Sequence, residues 1–251
     1  MRRYGLTAAT ALMFAVLAPD LAHAASLRIS PIGVDMPSSD RAAAITIANT
    51  DAEPVSLQIR LYKWSQVDGE EKLDPATDMF VSPPAITVPA GKSYTIRVAR
   101  PTASPVDGEL SYRLLIDELP KPIDPRTVGQ GVKMVLRTSM PIFIADKKAI
   151  ATLAWSVWQD AEGLHAQVVN TGRRHAKIAG LSLQPASGPA ISFGAGLNGY
   201  VLAGAIKRFD LKAEGNARLP QLVTGSPVKL TAKNDALDIL ATVPVAARKD
   251  R

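Results

Sequence analysis

GVKMVLRTSMPIFI, residues 131–144, alternates in its first half and not in its second. In an extended strand successive side chains point to opposite faces, so Val132, Met134, Leu136 and Met140 share one face while Lys133, Val135, Arg137 and Ser139 share the other. Periodicity alone favours an ordinary half-buried strand of a β-sandwich. The sharper alternative makes Val132, Met134 and Leu136 a row offered to another protein, and the rest of the chain has to decide between them.

Upstream of this stretch, apolar residues recur in short runs at 27–29, 44–48, 55–64, 85–88, 94–99 and 110–116, separated by Pro, Gly, Asp and Asn clusters. Pro54, Pro83-Pro84, Pro89-Ala90-Gly91 and the prolines between 101 and 105 stand where helices would have to run. Downstream, the charged segment 145–149 reads as a hinge. Beyond it the pattern resumes with more glycine: strands are expected at 152–158, 164–169 and 176–183, twice within 200–211 around Gly204, and at 228–232 and 237–243 around the turn Asn234-Asp235. No amphipathic helix of convincing length and no repeat of fixed period is visible. The expectation is an all-β chain of two successive β-sandwiches, residues 25–145 and 146–251, in preference to one large barrel.

The first 24 residues pair Arg2 and Arg3 with an apolar run from about Leu6 to Leu17 and the small-residue ending Ala22-His23-Ala24, the form of a cleavable export signal. The run is shorter than the ~20 residues a membrane-spanning helix needs. An exported mature chain of 227 residues without cysteine relies on its core and not on disulfides. Once Arg2, Arg3 and Asp20 are removed, 27 basic and 22 acidic residues remain, a net charge of +5. That mild balance, without a polybasic run, argues against nucleic-acid binding, and no later segment is apolar for long enough to enter a membrane.

Chemistry is scarce. His165 and His175 are ten residues apart with no metal-ligand spacing around them, so no metal or cofactor is expected. There is no G-x-S-x-G, no S-x-x-K and no phosphate-cradling loop; Gly129-Gln130-Gly131 precedes a strand, not a helix. Asp117 and Glu118 adjoin on a strand and point to opposite faces, unable to act on one atom. The chain is not expected to be an enzyme.

The order of features resembles the periplasmic pilus chaperones of the chaperone-usher pathway, over nearly all of the mature chain. The carriers are Asn49, Trp64, Ser82-Pro83-Pro84, Val88-Pro89-Ala90-Gly91, Tyr94-Thr95-Ile96-Arg97, ELSYRLLIDELP from Glu109 to Pro120, and then residues 131–144. Each is weak alone; their order and spacing carry the signal. The resemblance implies two immunoglobulin-like domains set at an angle. It implies pilin subunits and an outer-membrane usher as partners, a periplasmic location, and a strand lent to the subunit through Val132, Met134 and Leu136. Lys133, Val135 and Arg137 would then face the chaperone or the rim of the complex. Lending supplies backbone hydrogen bonds and about 1.5 to 3 kcal/mol per fully buried side chain to a sandwich that lacks a strand.

The same resemblance implies an interdomain charge cluster of Arg97, Glu109 and Asp235, each of which alone would read as a solvated surface charge. One departure stands out. Where well-known members place an Arg and a Lys that clamp the subunit's terminal carboxylate, this chain has Pro31 and Pro141, which offer neither charge nor backbone N–H. That substitution, with Ser30-Pro31 and Tyr112-Arg113-Leu114, resembles the divergent archaic branch. Arg113 is the candidate substitute anchor, able to grip a carboxylate in bidentate fashion; the alternative is an exposed strand residue. The rival class is a structural adhesion module of two permanent sandwiches. An exposed apolar row is also open to capping by a second copy, which leaves a self-capping dimer of the free protein as an alternative.

Overall fold

The computed structural model describes residues 27–102, 104–120, 135–213 and 219–247, and every element among them is a strand. The first domain holds β1 (Leu27–Ser30), β2 (Val34–Pro37), β3 (Ala42–Asn49), β4 (Val55–Val67), β5 (Glu70–Pro75), β6 (Phe80–Ser82), β7 (Ala85–Val88), β8 (Ser93–Ala99), β9 (Glu109–Glu118) and β10 (Arg137–Ala145). One sheet runs β1-β3-β8-β6. The other runs β2-β10-β9-β4-β5, with β7 also on β4. Alternation dictates what lies between them: Ile45 and Ile47 of β3 and Ile96 and Val98 of β8 meet Leu57 and Ile59 of β4, Tyr112, Leu114 and Ile116 of β9, and Met140, Ile142 and Ile144 of β10. Burial pushes the Tyr112 phenol up, reinforced by its 2.9 Å hydrogen bond to Asp78.

The second domain holds β11 (Leu153–Asp160), β12 (Gly163–Asn170), β13 (Ala176–Pro185), β14 (Ile191–Ser192), β15 (Leu197–Val201), β16 (Ile206–Leu211), β17 (Pro227–Asn234) and β18 (Leu237–Ala246). The order is β14-β13-β17-β18-β11-β12-β16, with β15 on β13. β18 pairs antiparallel with β17 and then, at Val245 and Ala246, parallel with β11, so it joins the two layers around a separate core of Val157, Leu164, Val168, Ile178, Leu183 and Leu230.

The domains share a device that the sequence reading did not find as a repeat. Asn49 at the end of β3 donates through its amide to the carbonyls of Glu53, Val88 and Pro89, while its carbonyl accepts from Asp51 N–H. Asn170 at the end of β12 donates to the carbonyls of Arg174, Val201 and Leu202 and accepts from Gly172 and Thr152 N–H. Both are buried. Each plugs the end of its sandwich by satisfying carbonyls that would otherwise be orphaned.

Sequence and structure differ mainly at edges. β4 runs to Val67 and turns through Asp68-Gly69, both at positive φ, into β5, whose residues are all exposed. No hydrophobic alternation marks such an edge strand. The turn pair Asp-Gly fixes the hairpin instead.

Candidate functional site

β9 and β10 pair antiparallel from Arg137↔Asp117 to Ala145↔Glu109. On the even face of β10, Ile144, Ile142 and Met140 are core, and upstream the same row leaves the sandwich: Thr138 is half-buried and Leu136 is 39% exposed beside Val135 at 50%. On its other side β10 meets β2 in parallel, only from Ile142 to Ala145. From Arg137 to Pro141, therefore, β10 has no second partner strand among the described residues.

The backbone chemistry of that open edge follows from the ladder. Glu118 N–H donates to Leu136 C=O at 2.9 Å, so by antiparallel alternation the backbone groups of Arg137 and Ser139 point away from β9. Pro141, opposite Arg113, also turns its nitrogen outward, which leaves the β9 pairing intact and ends the supply of N–H donors along the edge. Gly33, in the link from β1 to β2, lies over it: a Cβ there would sit 3.4 Å from Pro141 Cγ. Val132 and Met134 lie outside the described residues, so of the expected row only Leu136 has a place in this geometry. It continues the core row beyond the core.

Arg113 is not an exposed strand residue. Its side chain is 13% exposed, its guanidinium carbon stands 3.7 Å from the Trp64 ring centroid and 5.5 Å from that of Tyr200, and Glu71 is 3.7 Å away. Burial pushes its pKa down, partly opposed by Glu71 and Tyr200. An arginine nonetheless keeps its charge in such a site. Trp64, Phe143, Tyr200, Leu202 and Ala205 form an aromatic and aliphatic cluster between the domains, with His175 stacked on Phe143 at 3.5 Å. The buried Trp64 Nε1–H has no hydrogen-bond partner among the described residues. Gln66 on β4 completes the seam by donating to Tyr200 C=O and accepting from Leu202 N–H, both at 2.9 Å.

The expected trio of Arg97, Glu109 and Asp235 is not brought together. Arg97 lies between the core residues Ile96 and Val98, so its side chain points to solvent from the outer face of the four-stranded sheet, on the opposite side of the sandwich from Glu109. Asp235, in the β17–β18 turn at φ 53, pairs with Lys177 of its own domain at 3.3 Å. Glu109 does reach across, but to other residues. Its side chain is fully buried and accepts from His175 N–H at 3.0 Å and His175 Nδ1 at 2.7 Å, with Arg174 Nε at 3.9 Å. Arg174 also pairs with Asp35, and Arg173 with Asp107. Three consecutive basic side chains of the second domain thus meet three acids of the first. The run Arg173-Arg174-His175 after the Asn170 turn was the available signal; read for metal spacing, His175 gave nothing.

Among the described residues no group of His, Cys, Asp and Glu could hold a metal, and no helix is long and apolar enough to cross a membrane.

A search of curated protein sequences gives no match. Several solved structures share the fold. A chain of the CsuC–CsuE chaperone–tip adhesion subunit pre-assembly complex, from the archaic chaperone-usher Csu pili of Acinetobacter baumannii, superposes with a TM-score of 0.65 at 23% identity, covering 89% of this chain and 100% of its own. The YadV chaperone does so with 0.59 at 17%, covering 87% and 99%. A chain of the Salmonella enterica SafA pilin–SafB chaperone complex gives 0.56 at 16%, covering 84% and 90%. Residues 26–148 match the family described as pili and flagellar-assembly chaperone, PapD N-terminal domain, and it is this first domain that belongs to that family.

Proposed function

We propose that this chain is a periplasmic chaperone of the archaic branch. It holds pilin subunits by lending them the strand that leads into β10, and passes them to an outer-membrane usher without nucleotide. The observation that carries the reading is the open edge of β10 from Arg137 to Pro141, with the core row continuing outward through the exposed Leu136. A subunit strand added there would find the backbone groups of Arg137 and Ser139, while Val132, Met134 and Leu136 would enter the subunit's groove. Pro141, without an N–H, would end the pairing.

Arg113 is the proposed anchor for the subunit's terminal carboxylate. It sits in the seam between the domains, one strand in from Pro141, and its rigid fork suits a bidentate grip. Its stacking on Trp64 and Tyr200 holds the guanidinium in place before a subunit arrives. The charge-assisted bond is worth about 1.5 to 3 kcal/mol, so Arg113→Ala should weaken the complex by ten- to a hundredfold in dissociation constant. Arg113→Lys, which keeps charge but loses the fork, should fall between. Equal affinity of Arg113→Ala and wild type for a subunit encoded beside the chaperone gene, measured by calorimetry or displacement, would remove Arg113 from this role.

A further inference from the structure

Leu136 leaves the sheet at a point that is unusually well tied. Its carbonyl accepts from Glu118 N–H at 2.9 Å and its own amide donates to Glu118 Oε2 at 3.3 Å. At the next pair, Asp117 Oδ2 accepts from Arg60 Nη2 at 2.6 Å and Nε at 3.2 Å, while Oδ1 takes Arg137 Nε. Asp117 is only 12% exposed, whereas the Arg60 and Arg137 side chains are 39% and 63% exposed. Burial alone would push the Asp117 carboxyl up; Arg137 and Arg60 outweigh it and hold the carboxyl below the ordinary carboxylate range. One anion therefore ties β4, β9 and the first residue of β10 together on the face opposite the core.

This placement matters because the side-chain period of a strand is two. A one-residue slip of β10 against β9 would turn Leu136 to the wrong face, and at this end β10 has no second strand among the described residues to hold its register. We propose that Asp117, bridging Arg60 and Arg137, is a positioning residue for subunit binding: it fixes the register and face on which Leu136 is presented to the partner. The inference rests on the reading of β10 as the partner-binding strand.

The test uses the mature chain with the isosteric Asp117→Asn and, as a second variant that leaves the Asp117–Arg60 pair in place, Arg137→Gln. In the free protein, amide exchange at Glu118 and Thr138 should rise about tenfold in both variants while β11 to β18 are unchanged. In complex with a pilin subunit encoded beside the chaperone gene, the lifetime should shorten about tenfold, and that effect should shrink in a Leu136→Ala background, because the staple acts through Leu136. Unchanged exchange and lifetime in both variants would overturn the inference, as would a lifetime effect fully additive with Leu136→Ala, the mark of a merely structural bridge. A wild-type chain that captures no subunit would overturn the lent-strand reading and this inference with it; capture by wild type with equal lifetimes in the variants overturns the inference alone.

Discussion

Asn49 and Asn170 do the same work in two sandwiches whose sequences show no repeat. Each amide spans three carbonyls, and each carbonyl accepts from a turn N–H two residues on. Alanine at either position strands several buried polar groups at once, and Asn49→Ala or Asn170→Ala should each destabilise by about 3 kcal/mol in denaturant unfolding. An effect below about 0.5 kcal/mol would mean that water replaces the amide. The sequence marked Asn49 as a strand end without the reason for it. An asparagine serving carbonyls 39 and 40 positions away leaves no local pattern. Arg113 was reached by another route: the resemblance pointed to it once Pro31 and Pro141 removed the family's usual charges, and only the fold supplies Trp64 and Tyr200 to cover it.

Most strands declared themselves through alternation, and those that did not had physical cause. β2 is four residues long, with only Val34 and Met36 inward, and β5 is a charged edge strand with nothing buried to alternate. The open edge of β10 follows from the shortness of β2, so it could not be read from residues 131–144 alone. Acid should probe the β9–β10 junction directly. Asp117 has a folded-state pKa held below its unfolded value of about 3.9, so its contribution to stability is present above that value and is lost as pH falls through the folded pKa. The penalty of Asp117→Asn in urea unfolding should therefore be full at pH 7 and shrink as the pH falls below about 3.9 and on through the folded pKa. A penalty unchanged at low pH would show that the charge of Asp117 contributes nothing.

Across the whole molecule, the seam between the domains is built from residues far apart in sequence, and this is where sequence reasoning placed the wrong partners. Glu109 was found, but its neighbours His175 and Arg174 depend on a loop that reaches back 66 residues. The structure predicts a contrast: Glu109→Ala should lower stability by about 3 kcal/mol and broaden the small-angle scattering profile, because the backbone N–H and Nδ1 of the buried His175 lose their acceptor, while Arg174 keeps Asp35. Arg97→Ala and Asp235→Ala should each stay within about 0.5 kcal/mol of wild type, and a large effect at Arg97 would contradict the arrangement described here. The central claim concerns the lent strand. Its most direct test is periplasmic co-expression with pilin subunits from neighbouring genes, comparing wild type with Met134→Asp and Leu136→Asp after both variants are shown to be folded. A charge on that row cannot enter an apolar groove, so wild type should purify as a one-to-one complex and the two variants alone. Equal capture by folded variants would contradict the claim and leave the row without a role in binding.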